Sequence, residues 1–375
     1  MQTAAIDLPA AAPGTARQLV VHRFGAPGAR PKAYLQAALH ADELPGALVL
    51  NRLLPLLAQA ERAGRVRGEI VVVPMANPIG LAQSVMQTHL GRYDLAWLSN
   101  FNRGWPDLVE PVAAAVGRHL GPDPRTNVAV IRAALGEAVA RLPAHSENAA
   151  LRRHLLAQAI DADLVLDLHC DLEAVLHLYL GTPLWPDAAD LAADVGAEAV
   201  LLAEASGGNP FDEAFSAIWW QLARRFPDRP IPNACLATTL EYRGLRDVDA
   251  DLAGDDAMRL LRFLMRRGVV AGDPGPLPPP RCDATPLDGA AMIEAPATGM
   301  LLFDVAPGDE VTAGARVARL LDPRDASGTV LPVVTPVAGR VFARCLRGFA
   351  RAGEVVVKVA GLEPIAGRSG LLLPN

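Results

Sequence analysis

Four short stretches carry the side chains that could do chemistry together. Leu39-His40-Ala41-Asp42-Glu43 puts an imidazole and a carboxylate in an H-x-x-E pattern, just after an apolar run and just before a helix-forming one. Asp167-Leu168-His169-Cys170-Asp171 brings a second histidine to the end of the apolar run DLVLDL. Two histidines and one carboxylate are a common catalytic zinc set, which leaves a fourth position for water. Glu241, in Leu240-Glu241-Tyr242-Arg243-Gly244, closes a third apolar run. A carboxylate there could take a proton from such a water and pass it to a leaving group. Gly91-Arg92-Tyr93-Asp94 and the stretch Asn100-Phe101-Asn102-Arg103-Gly104-Trp105-Pro106-Asp107 supply arginine and asparagine, a pairing suited to a fork grip on a substrate carboxylate.

These groups need elements that bring them to one place. Gln18 to Phe24, Lys32 to Leu39, Glu69 to Val73, Asp163 to Leu168, Val175 to Leu180 and Leu236 to Leu240 read as strands. Leu44 to Gln59, Val128 to Arg141, Ser146 to Ala159, Asp212 to Arg225 and Asp251 to Arg267 read as helices, with Ser146 as an N-cap. Such alternation predicts an α/β fold with a mixed, mainly parallel sheet covered by helices. Open sheets of this kind place their sites in the crevice at the carboxyl ends of the strands, where three of the four stretches fall.

The Pro/Gly-rich run AGDPGPLPPPR marks a boundary. The expected organisation is a catalytic domain over residues 1–270, a linker over 271–282 and an all-β domain over 283–375. Within the last, Ala291–Glu294, Gly299–Val305, Arg316–Leu321, Gly339–Arg344 and Glu354–Val359 read as strands, and Glu294-Ala-Pro-Ala-Thr-Gly-Met300 is loosely echoed by Val334-Thr-Pro-Val-Ala-Gly-Arg340.

From Val20 to Gly268 the order and spacing of the motifs resemble the succinylglutamate desuccinylase/aspartoacylase group of zinc deacylases, relatives of the zinc carboxypeptidases. The pattern there is G-x-H-G-D-E, an Arg-bearing stretch ending in Asn-Arg, a lone His after a strand, and a Glu at a strand end. The resemblance implies one zinc ion per chain on His40, Glu43 and His169. It implies Glu241 as general base and acid, Asn102 and Arg103 on the substrate carboxylate, and Arg92 on the carbonyl oxygen as it becomes an oxyanion. It also implies that the C-terminal part is a barrel-sandwich domain, similar in outline to biotinyl and lipoyl domains. Ala38-Leu39-His40-Ala41 departs from Gly-x-His-Gly. Asn100 stands where the family often has an Asp that orients a metal-bound histidine; an Asn can still accept the N–H but adds no charge.

The expected activity is hydrolysis of an amide bond in a small, carboxylate-bearing N-acyl amino acid or related acylated amine. A metallocarboxypeptidase and an inactive binding protein on the same scaffold are the alternatives. Composition narrows the field further. Of 35 basic residues only Lys32 and Lys358 are lysines. There is no Gly-Lys-Ser/Thr phosphate loop, and neither lysine lies in a motif suggesting a Schiff base. Lys358 falls inside a strand-like run rather than at a hairpin tip, so the β domain lacks carrier chemistry. A net charge of -6 with no basic run disfavours nucleic acid. No apolar window is long enough to span a membrane, and no signal peptide is evident, so a cytoplasmic protein is expected. The four scattered cysteines read as reduced thiols, Cys170 pointing away from the metal and His177 being structural. Asp171 fits either a supporting role at the metal or a surface charge, and a homo-oligomer is compatible with the sequence.

Overall fold

The computed structural model describes residues 1–373. Nine strands form one sheet: β1 (Gln2–Asp7), β2 (Gln18–Phe24), β3 (Lys32–Ala37), β4 (Glu69–Val73), β5 (Leu164–Asp171), β6 (His177–Gly181), β7 (Ala199–Ala203), β8 (Leu236–Gly244) and β9 (Ala284–Pro286). Their spatial order is β1-β2-β4-β3-β5-β8-β6-β7-β9. The pairs β4/β3, β3/β5, β5/β8, β6/β7 and β7/β9 are parallel, and β1/β2, β2/β4 and β8/β6 are antiparallel. This is the mixed, mainly parallel sheet expected from the sequence.

The apolar runs of β3 and β4 are buried along their whole length, as strands covered on both faces must be. On one face, α1 (Pro45–Arg62) and a late helix, Ala250–Arg266, contribute Leu53, Leu57, Leu260 and Leu264. On the other, α2 (Pro124–Ala140), α3 (Glu147–Ala159) and α4 (Glu213–Arg225) contribute Ile131, Leu155 and Trp219. Helix starts follow local chemistry. Asp123 accepts from the backbone N–H groups of Arg125 and Thr126, and Ser146 from that of Ala149.

Beyond Arg266 no α-helix occurs among the described residues. Strands β10 (Ala291–Glu294), β11 (Gly299–Phe303), β12 (Arg316–Leu321), β13 (Val330–Val334), β14 (Gly339–Arg344) and β15 (Val355–Gly361) build two small sheets. Ile293, Leu301, Val317, Val341 and Val357 form the core between them.

The two parts interlock. Strand β9, which lies beyond the Pro/Gly-rich run, pairs with β7 and completes the large sheet. In return Glu173 and Ala174, just after β5, pair with β14. Val175, Leu201, Leu287, Phe342 and Leu372 fill the space between in one apolar cluster. The interlock brings β15 against the carboxyl end of β5. No helix is long and apolar enough to cross a membrane among the described residues.

Candidate metal centre and active site

The register of the sheet assembles the site. Ala37, at the end of β3, is level with Leu168 of β5, so the chain beyond β3 delivers His40 beside His169. His169 in turn is level with Glu241 of β8. Two backbone irregularities lie at these strand ends. Ala38 adopts φ +55° just before His40, and Arg243 adopts φ +62° just after Glu241. The β5/β8 register also shifts between Glu241 and Gly244. Left-handed backbone at non-glycine residues costs on the order of 1–3 kcal/mol and persists only where the surroundings enforce it. Arg243 is held by a two-pronged pair with Asp256, at 2.8 and 2.9 Å.

His40, Glu43 and His169 each offer a ligand atom, all within 4.8 Å of one another, and all three residues are buried. Nδ1 of His40 lies 2.9 Å from Glu43 Oε1, and Nδ1 of His169 lies 2.6 Å from Glu43 Oε2. The far nitrogens are committed elsewhere. His40 Nε2 donates to Asn100 Oδ1 at 2.8 Å, and His169 Nε2 donates to Asp167 Oδ2 at 3.0 Å. With Nε2 committed, each imidazole is left with Nδ1 to offer a metal, as metal-binding histidines do. The donor set therefore fits zinc: two imidazole nitrogens and a carboxylate, each oriented from behind.

The orienting network extends through the core. Tyr34 donates to Gln36 Oε1 at 2.8 Å, and Gln36 donates to Asp167 Oδ1 at 2.9 Å. Asn100 behaves as its position suggested, accepting from His40. It also accepts from the backbone N–H of Asn102 at 2.8 Å. Asp167 was visible in the sequence but carried no assigned role there. The signal was its spacing: residues two apart on a strand face the same way, so Asp167 and His169 share a side of β5.

Charge follows geometry. Burial alone would raise the Glu43 carboxyl, but His40 and His169 beside it hold it well below the usual carboxylate range. His169 is driven down by burial and, more strongly, up by Asp167 and Glu43. His40 is lowered by burial and by Arg92. Burial, reinforced by the charge of Glu43, pushes the Glu241 carboxyl up to about 8. Glu241 Oε2 is buried without a hydrogen-bond partner among the described residues.

Arg92 reaches the cluster through a close backbone approach. The N–H of Ala41 donates to Gly91 O at 3.0 Å, and a Cβ on Gly91 would stand 2.1 Å from the Asp42 nitrogen. Only glycine fits there, and its neighbour Arg92 then donates to Glu43 Oε1 at 3.0 Å. Asn102 and Arg103 line the same cavity of about 80 Å³ as His40, Glu43, His169, Arg92 and Glu241. All seven sequence-derived site residues thus meet at one cavity. Asn102 also accepts from the backbone N–H of Phe211 at 2.8 Å, which ties the start of α4 to the site.

Residues that the sequence left undecided find places. Asp171 pairs with Lys358 of β15, and both line the cavity. Cys170 is buried and outside the ligand cluster, and burial pushes its thiol up. His177 donates from Nδ1 to Val175 O at 2.9 Å. Asp212 and Glu213 also line the cavity, which no local motif announced.

A mixed α/β sheet with a metal-competent His/Glu/His cluster at its carboxyl edge defines the class: a hydrolase scaffold with its site at the strand ends. A profile described as the succinylglutamate desuccinylase/aspartoacylase catalytic domain matches residues 29–223, just over half of the chain. The chain belongs to the succinylglutamate desuccinylase/aspartoacylase family, a family of deacylases. A family protein from Shewanella amazonensis superposes with a TM-score of 0.85 at 28% identity, covering 96% of this chain and 98% of its own. A related protein from Shewanella frigidimarina gives 0.84 at 26%, covering 97% and 99%. The ectoine utilization protein EutE of Ruegeria pomeroyi, in a product-bound structure, shares the fold, with a TM-score of 0.66 at 17% identity over 96% and 94% of the two chains. No curated protein matches the sequence.

Proposed function

We propose that the protein is a zinc-dependent deacylase that hydrolyses the amide bond of a small N-acyl amino acid or a related acylated amine. The observation that carries this reading is the placement of Glu241 level with His169, beside but outside the His40/Glu43/His169 cluster. His40, Glu43 and His169 would hold a zinc ion, which would supply a Lewis acid for the amide carbonyl and lower the pKa of water toward about 7. Glu241, level with His169, accepts a proton from the attacking water and delivers it to the leaving amine. Arg103 and Asn102 hold the substrate carboxylate. Arg92, already against Glu43, directs its remaining N–H groups at the oxygen that gains charge.

The test is hydrolysis of a panel of N-acyl amino acids by the protein as purified, after chelation, and after zinc is restored. Activity that disappears on chelation and returns with zinc is the expected result. Full activity in the metal-stripped protein would overturn the zinc assignment.

A further inference from the structure

Two short hairpins stand on either side of Arg92 and leave apolar side chains in solvent. Ser84–Val85 pairs with Thr88–His89, and Tyr93–Asp94 pairs with Ser99–Asn100. At their tips Met86 is 94% exposed, Trp97 74% and Leu98 78%, and Val85, Leu90 and Leu95 are exposed beside them. Single exposed hydrophobics are ordinary, whereas a concentration of them marks a contact surface. The backbone is strained at the same points. Met86 (φ +48°), Gln87 (φ +66°) and Leu98 (φ +52°) are three of the six non-glycine residues at positive φ among the described residues. A two-residue turn with both residues at positive φ is ordinarily filled by Asn-Gly, which adopts it freely. Here a methionine takes the first place, so an apolar tip is kept at a conformational cost.

The frame beneath the tips is braced. Gln83 joins the two hairpins: its Nε2 donates to Leu90 O and Tyr93 O, both at 2.7 Å, and its Oε1 accepts from the backbone N–H of Leu95 at 2.9 Å. Asp94 Oδ2 accepts from Asn148 Nδ2 at 3.0 Å, which ties the second hairpin to α3. Asn100, at the base of that hairpin, accepts from His40 Nε2, so the same frame reaches the candidate metal cluster.

Charge decides what fits this surface. Charged residues make up 20% of the chain, yet every exposed residue from Leu81 to Ser99 is uncharged. With no lysine or arginine exposed there, the tips lack the attraction that holds a protein on anionic lipid. A charged partner would bury its own charges against a surface that cannot pair them. A second copy of this chain brings the same uncharged surface, and a two-fold contact sets a patch against itself. Homodimer interfaces are correspondingly apolar and depleted in charge at their core. A second exposed apolar group, Met300, Leu302 and Phe349 on the C-terminal part, is flanked by Arg347 and Arg351, which share the single carboxylate of Glu354. Set against itself, that group would oppose like charges.

We infer that the two hairpins form a two-fold interface with a second copy of this chain, centred on Met86, Trp97 and Leu98.

Sedimentation equilibrium of the full chain over about 0.1 to 100 µM tests this without substrate or metal. The natural protein should reach twice the 39.6 kDa of one chain, or a higher even multiple. Met86→Glu and Trp97→Glu, one on each hairpin and both at exposed positions, should each weaken the association by about thirtyfold or more, as loss of a central interface anchor does. Phe349→Glu should leave it unchanged. Circular dichroism checks that each variant keeps its fold. Independently of any variant, hydrogen exchange over residues 84–99 of the natural protein should slow as monomer gives way to assembly. A natural protein that is monomeric throughout overturns the inference, whether or not it binds anionic vesicles or another protein. So does an assembly that either folded hairpin variant retains at natural strength, one that Phe349→Glu weakens as much, or one that leaves exchange over 84–99 unchanged.

Discussion

Glu241 and His169 face each other across adjacent parallel strands, at the same level of the sheet. One is a cluster donor, and the other, pushed up to about 8 by burial and by Glu43, keeps one carboxylate oxygen unbonded. The sheet register thus keeps Glu241 beside the candidate metal cluster without making it a member, as the proposed division between holding a metal and moving a proton requires. Glu241→Gln should leave zinc content unchanged and reduce kcat by about a hundredfold or more. Elemental analysis and turnover measured on the same preparation check this. A variant that keeps near-natural turnover removes Glu241 from the mechanism.

Asp167 stands one remove behind the candidate metal cluster. It accepts from His169 Nε2 at 3.0 Å and is itself fixed by Gln36 at 2.9 Å. It thereby sets the tautomer and makes Nδ1 the better donor. Replacement by Asn, which adds no charge, should weaken zinc binding by roughly ten- to a hundredfold. Competition with a chromophoric chelator reads this directly. Unchanged affinity would mean that Asp167 serves only to pack the strand.

How much of this was legible in the sequence depends on range. The stretches around His40, His169 and Glu241 could be read because each closes a short apolar run, and strand ends gather at one edge of an open sheet. Some helix starts were also local, as Ser146 illustrates by capping its helix at Ala149. The strand order could not be read so simply. Strand β8 lies between β5 and β6, so Glu241 lands beside His169 through a crossover of some seventy residues that no local pattern encodes. Asp212 and Lys358 were missed for the same reason. Each lies in an unremarkable helix start or strand, and only the tertiary interlock turns it toward the cavity.

Lys358, the single lysine of the C-terminal part, is engaged with Asp171 rather than presented at a hairpin tip. Side-chain exposures of 17% for Lys358 and 12% for Asp171 make this a largely buried pair between the two parts of the chain. Removing one member strands the other charge. Lys358→Met should therefore lower the unfolding free energy by about 2 kcal/mol, below the roughly 3–5 kcal/mol of a fully buried pair because some solvent reaches it. Adding Asp171→Leu should recover part of the loss. Denaturant titration of both variants tests the pair, and an unperturbed single variant would show that it contributes nothing to stability.

His177 gives a pH signature separable from catalysis. It is fully buried between Tyr179 and Phe342, and burial lowers it from its usual 6.5 to about 4. Asp171 acts in the opposite direction but is outweighed. The folded value lies below the unfolded one, so between pH 6.5 and 4 the unfolded chain binds the proton and the folded protein does not. The stability tied to neutral His177 is thus fully present above pH 6.5 and declines as pH falls to about 4, where the loss levels off. The interval corresponds to roughly 3 kcal/mol. His177→Gln, which keeps a polar group near Val175 O but cannot titrate, should remove that component. Unfolding free energies of both proteins measured from pH 7 to pH 4 should therefore converge by roughly 3 kcal/mol. Parallel curves would mean that the imidazole accepts its proton without penalty and that its burial is relieved by local opening.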